Sequence, residues 1–291
     1  MIDIRRILCP IDFSEYSRHA LDHALAVARW YDSSITVLHV FSAAPVAVYA
    51  PGVPGYEPIA LTSADREQLL VATKRFVESD ATADVPVDAV IREGDATSEI
   101  LNQAQAINAD LLVIGTHGRS GFERFMLGSV TEKVLRKATC PVLSVPRRAP
   151  GANAAAPVLF KRILCPVDFS DCSMNALNYA MSMAQEADAH LTVLHVMTPD
   201  TRDTPDALEE MSRQRLRDVV PNAVGAYCSV DTMTAEGTPY REILRVATEQ
   251  QNDLIVIGVH GRGMADLMFF GSTTQHLVRQ AACPVLTLRK A

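Results

Sequence analysis

No apolar stretch in the 291-residue sequence approaches the ~18 residues that a membrane-spanning helix needs. Met1-Ile2-Asp3-Ile4-Arg5-Arg6 runs straight into a strand-like segment, without an apolar leader or a small-residue cleavage site. The default expectation is a cytoplasmic chain with no membrane partner. Six cysteines (Cys9, Cys140, Cys165, Cys172, Cys228, Cys283) include no CxxC pair, so their spacing suits no zinc site, and disulfides would be unusual in the cytosol. They are expected to be small buried hydrophobes. Basic residues never run beyond two in a row and the net charge is −7, which argues against nucleic acid as the main partner. Neither HExxH nor a Ser-His-Asp or Cys-His arrangement is discernible, so no catalytic or metal-ligating set is expected.

What the sequence does contain is a repeat. Arg5-Arg6-Ile7-Leu8-Cys9-Pro10-Ile11-Asp12-Phe13-Ser14 returns as Lys161-Arg162-Ile163-Leu164-Cys165-Pro166-Val167-Asp168-Phe169-Ser170, an offset of 156 (168 − 12). A glycine loop returns at an offset of 143 (258 − 115): Gly115, two residues, Gly118, nine residues, Gly128-Ser129, and then Gly258, Gly261 and Gly271-Ser272 with the same gaps. The chain is a tandem duplication, with domains expected at 1–146 and 159–291 and an Ala/Pro/Gly-rich linker at 147–158.

Short apolar runs such as Ile7–Ile11 and Leu111–Ile114 read as central parallel strands, and helical stripes such as Ala20, Leu21, Ala24, Leu25 and Ala28 alternate with them. The order βαβαβαβαβ in each half predicts an α/β fold, a doubly wound parallel sheet with helices on both faces. The segment 42–58 has no counterpart in the second half. With four prolines it is expected to be irregular, a lid or partner-binding loop.

In such sheets ligands bind beyond the carboxyl ends of the strands, where strand order reverses. Asp12, Val40 and the Gly115 loop should therefore converge in one half, and Asp168, Val196 and the Gly258 loop in the other. Glycines there supply φ > 0 or close backbone approach, and the helix that opens at Ser129 offers free N–H groups to an anion. The physical reading is a nucleotide, with phosphates on the backbone around Gly128, Ser129 and Val130 and the base near Ile11 and Val40. Neither loop is a G-x-x-x-x-G-K-[ST] sequence, and the junction Pro10-Ile11-Asp12 lacks the glycines of a dinucleotide fingerprint. Asp12 equally suits a helix cap beside Ser14. His117 and His260 suit a phosphate or a loop cap, His39 and His195 the core or a backbone hydrogen bond, and Arg119 and Arg262 a phosphate, solvent or an inter-domain carboxylate.

The Asp12 junction, the paired glycine loops and Gly128–Pro141 (GSVTEKVLRKATCP) resemble the universal stress protein family over both halves. Gly271–Pro284 (GSTTQHLVRQAACP) is a looser match. The resemblance implies two five-stranded, adenine-nucleotide α-hydrolase-like sheets of order 3-2-1-4-5, packed as a pseudo-dimer whose last strands, 142–145 and 285–288, pair across the axis. It implies ATP, or AMP or ADP in its place, with Mg²⁺ accompanying the nucleotide. The site carried over by position comprises Asp12, Val40, Gly115, Gly118, Gly128, Ser129, Val130 and Thr131 in the first half, and Asp168, Val196, Gly258, Gly261, Gly271, Ser272, Thr273 and Thr274 in the second. Pro10, His117 and Arg119 in the first half and Arg262 in the second are candidate nucleotide contacts beside them.

A stress-response regulator or sensor follows, with a homodimer and an unidentified protein partner as further expectations. With no activating lysine and no general base near the phosphates, machinery for fast turnover is not visible. The alternatives are a slow Mg-dependent ATPase, or self-phosphorylation, and an adaptor whose glycine loops are only turns.

Overall fold

A computed structural model of the chain describes residues 2–42, 45–50, 53–58, 61–78, 84–117, 127–147, 158, 160–198, 205–220, 228–259 and 271–289. In strand β1 (Arg6–Ile11) the pleat sends Ile7, Cys9 and Ile11 to one side and Leu8 to the other, and all four are buried, as a central strand covered on both faces requires. The first half continues as α1 (Glu15–Tyr31), β2 (Ser34–Phe41), β3 (Pro45–Ala50), β4 (Val53–Pro58), α2 (Ser63–Val77), β5 (Val87–Glu93), α3 (Ala96–Ala106), β6 (Leu111–Gly115), α4 (Ser129–Lys137) and β7 (Val142–Val145). The second is β8 (Arg162–Pro166), α5 (Asp171–Ala187), β9 (His190–Met197), α6 (Pro205–Val219), β10 (Ser229–Glu236), α7 (Pro239–Glu249), β11 (Leu254–Gly258), α8 (Ser272–Gln280) and β12 (Val285–Leu288).

Among the described residues ten strands form one sheet in the order β10-β9-β8-β11-β12-β7-β6-β1-β2-β5. Each half contributes the order 3-2-1-4-5, all parallel, as expected. The halves join where β12 runs antiparallel to β7, with Leu286 opposite Leu143. Ser144 Oγ donates to the Val285 carbonyl at 3.0 Å and Thr287 Oγ1 to the Val142 carbonyl at 3.1 Å, so the seam is tied by buried hydroxyls as well as by its ladder.

The two faces of this sheet carry two apolar layers, and each layer runs across the seam. One unites α1, α2, α5 and α6 with residues such as Ile7, Leu143, Leu286 and Val193; the other unites α3, α4, α7 and α8 around Leu8, Leu112, Leu164 and Ile255. Phe160 is fully buried and lies against Trp30 and His23 of α1, with ring centroids 5.5 and 5.6 Å apart, so the second half is anchored on the first immediately after the linker region.

The 42–58 insertion departs from expectation. It contains regular structure: β3 and β4 form a separate antiparallel pair, in which Pro45 faces Pro58 and Pro54 faces Tyr49. These prolines all fall on cross-strand pairs of one parity. A two-stranded ribbon leaves every second N–H outside its ladder, and a proline on that parity removes no ladder hydrogen bond. Helix α3 is capped by Asp95, whose side chain accepts from Ser98 N.

The cysteines are free and, apart from half-buried Cys140, buried. Burial pushes the thiols of Cys9 and Cys283 up to about 12 and that of Cys140 to about 11. A raised thiol pKa keeps the unreactive protonated form at pH 8. Iodoacetamide at that pH is therefore expected to leave these three unlabelled in the native chain and to modify them after denaturation, as mass spectrometry of tryptic peptides would show.

Candidate functional site

Asp12 follows the last residue of β1, and Phe13 takes a left-handed φ of 63° that turns the chain into α1. Ser14 caps α1 by accepting from Ser17 N, while Asp12 Oδ1 accepts from Ser14 N at 3.1 Å and from Ser14 Oγ at 2.5 Å. Asp12 thus supports the cap and also reaches a cavity wall. The second half repeats the arrangement: φ is 62° at Phe169, and Asp168 Oδ1 accepts from Ser170 N at 3.0 Å and from Ser170 Oγ at 2.6 Å. His39 and His195 bond backbone, as expected, with Nδ1 3.0 Å from the Ile11 carbonyl and 2.7 Å from the Val167 carbonyl.

Of the two reasons the sequence offers for the glycines, φ > 0 does not apply. Gly128 and Gly271 have φ of −57° and −53°, and neither Gly115 nor Gly258 lies in the positive-φ region. At Gly115 a Cβ would stand 3.2 Å from the Tyr16 carbonyl oxygen; at Gly258 it would stand 2.6 Å from the Cys172 carbonyl carbon and 2.8 Å from Ser173 N. The first glycine of each loop lets β6 or β11 pass the opening turn of α1 or α5. Close approach is the cause, and the approaching molecule is the protein itself.

The helices that follow leave their first N–H groups without a side-chain cap. Gly128 is the N-cap of α4 and Gly271 that of α8, and neither carries a side chain to cap with, whereas α1, α2, α3 and α5 are capped by Ser14, Thr62, Asp95 and Ser170. Uncapped N–H groups at a helix N-terminus attract an anion. Thr131 is buried, and its hydroxyl donates to the Gly115 carbonyl at 2.8 Å, which fixes the start of α4 against the end of β6.

Two cavities open at these helix ends. The first, of about 380 Å³, is lined by Pro10, Asp12, Val40, Gly115, His117, Gly128, Ser129, Val130 and Thr131, which are all of the described residues expected there. The second, of about 230 Å³, takes in Asp168, Val196, Gly258, Gly271, Ser272, Thr273 and Thr274. Gly118, Arg119, His260, Gly261 and Arg262 lie outside the described residues. His117 Nδ1 is 2.9 Å from Thr116 Oγ1, and its ring lies 5.8 Å from that of Tyr16. Sequence reasoning missed the rest of the apolar wall, including Leu38, Ala96 and Ile100 in one half and Pro239 and Ile243 in the other. The repeat offset pairs Ile100 with Ile243, a signal that was there to be read.

A profile of the Universal stress protein family matches residues 3–146 and again 159–289. The chain belongs to the universal stress protein family. It is 27% identical over 294 aligned residues to a universal stress protein of Mycolicibacterium smegmatis, covering 97% of this chain and 96% of that one. A universal stress protein of Methanocaldococcus jannaschii is 34% identical over 142 residues, 48% of this chain and 81% of that protein. The crystal structure of a universal stress protein from Archaeoglobus fulgidus shares the fold, with a TM-score of 0.70 at 23% identity over 99% of this chain and 97% of that one. The family match spans both halves, so the two cavities of this universal stress protein occupy corresponding places in a duplicated domain. Among the described residues no helix is long and apolar enough to cross a membrane.

Proposed function

We propose that this universal stress protein binds ATP, or AMP or ADP in its place, and acts as a stress-response regulator or sensor. The observation that carries the reading is the uncapped N-terminus of α4 opening onto a cavity whose opposite wall is apolar. Phosphates meet the N–H groups of Ser129, Val130 and Thr131 at one end, and the base meets Ile11, Leu38, Val40 and Ile100 at the other. The glycines alone do not separate this reading from an adaptor, because Gly115 and Gly258 already have an internal packing role. The bare ends of α4 and α8 do favour it, since α1, α3 and α5 close theirs with Ser14, Asp95 and Ser170; α7, whose N-cap Thr238 makes no side-chain cap bond, has its first residue on the wall of the second cavity.

Among the described residues Asp12 is the single carboxylate on the wall of the first cavity and Asp168 that of the second. Mg²⁺ is held by one or two carboxylates together with substrate phosphates, so in this reading it arrives with the nucleotide. Among the described residues the lining is apolar side chains, hydroxyls and backbone beside one carboxylate and, in the first cavity, His117, and binding is the role these walls support.

Thermal unfolding with and without ATP tests the proposal. At ~100 times Kd the ligand is expected to add about 2.7 kcal/mol of stability. An unchanged melting temperature at millimolar ATP, with and without Mg²⁺, would favour the adaptor.

A further inference from the structure

The duplication makes the two cavities comparable residue by residue, and they differ most informatively at one position. Ala96 lines the first and Pro239 the second. The two are related by the 143-residue offset of the glycine loops (239 − 96), and each is the first residue of its helix, α3 or α7. The backbone leading into them is nearly identical, with φ −72° and ψ 123° at Asp95 and φ −76° and ψ 120° at Thr238. Behind them Ile100 matches Ile243, and Val40 matches Val196. The pyrrolidine ring therefore occupies, at the apolar end of the second cavity, space that a single methyl leaves open in the first.

The volumes follow the same order, about 380 Å³ against about 230 Å³. Small-molecule sites typically span ~300–1,000 Å³. The first cavity lies inside that range and the second below it. Leu38 belongs to the wall of the first cavity, whereas Leu194, its counterpart by the strand pairing, is not among the residues that line the second.

We propose that the chain binds one nucleotide, in the first half, and that the residue at position 96 or 239 decides this by setting the depth of the base slot. The inference rests on the nucleotide reading above. It gives the two copies different work: the first responds to nucleotide, and the second supplies the partner strand β12 and its share of the common core.

The determinant can be exchanged without a folding penalty built in. Proline fits the first position of a helix, where the N–H is free of the helical ladder, and the residue before it is already extended in both halves. Equilibrium titration of the full chain with ATP gives stoichiometry and affinity for the wild type, Ala96→Pro and Pro239→Ala, with circular dichroism melts alongside. The wild type is expected to take one ATP per chain. Ala96→Pro should bind at least about tenfold more weakly at an unchanged melting temperature, since added methylenes in a closed apolar pocket change affinity roughly 10–200-fold. Pro239→Ala should raise the count above one.

Two equivalent sites in the wild type, full affinity in Ala96→Pro, or a count that stays at one in Pro239→Ala would each overturn the assignment while leaving the nucleotide reading standing. A folded wild type that binds no ATP would overturn that reading and this inference with it.

Discussion

Gly258→Ala is expected to be among the most damaging single-methyl additions in the molecule, costing about 3 kcal/mol or more. The new Cβ would lie 2.6 Å from the Cys172 carbonyl carbon, 2.7 Å from its oxygen and 2.8 Å from Ser173 N. These are backbone atoms in the first turn of α5, and Ser173 N is already engaged by Ser170 Oγ. Overpacking against atoms that cannot rotate away costs ~1–3 kcal/mol and occasionally more. The sister substitution Gly115→Ala meets its nearest atom, the Tyr16 oxygen, at 3.2 Å, and a few tenths of an ångström of movement relieves it. It should cost about 1 kcal/mol or less. Urea midpoints of the two variants check the order, and a Gly115 variant at least as unstable as the Gly258 variant would contradict the packing account of these loops.

The second large effect belongs to the seam. Leu143 and Leu286 are direct cross-strand partners where β7 meets β12, and both are at most 1% exposed. Truncating either to alanine is expected to cost ~2–5 kcal/mol. The informative quantity is their coupling. Residues in contact depart from additivity by ~0.5–3 kcal/mol, whereas distant ones add to within ~0.5 kcal/mol. The double variant Leu143→Ala/Leu286→Ala should therefore show a coupling above 0.5 kcal/mol. Because both apolar layers cross the seam, the wild type should also unfold in one transition rather than two. Additive single effects, or two resolved transitions, would mean that the halves are independent in solution.

Most of the fold was legible from the sequence because the elements carry strong local signals. The apolar runs Ile7–Ile11 and Leu111–Ile114, read as central parallel strands, lie within β1 and β6. Ser14 and Ser170 cap their helices as their positions suggest. The prolines of 42–58 misled because proline is a breaker only where its N–H is needed, and that depends on a register no local pattern reveals.

The glycine spacing located both cavities but left open whether Gly115 and Gly258 serve φ or close approach, and what approaches them. Whether a glycine serves φ or clearance depends on what passes beside it, here the first turns of α1 and α5, and in sequence those turns lie some 85 to 100 residues away (115 − 16 and 258 − 172). The merging of the two cores was equally hidden. The family resemblance suggested that β7 and β12 pair, but the side chains that continue the layers across that pair, and Phe160 packing beneath Trp30, arise only from tertiary contact.

If the open end of α4 holds phosphate, as proposed, the backbone amides there report it directly. In amide-resolved NMR of the labelled full chain, titrated with ATP and then with adenosine, the account predicts that ATP shifts the Ser129, Val130 and Thr131 amide resonances. Adenosine, lacking phosphates, should leave those three largely unmoved while perturbing Val40 and Ile100. Saturating ATP that leaves the 129–131 amides in place would contradict the account, whatever else in the spectrum it moves.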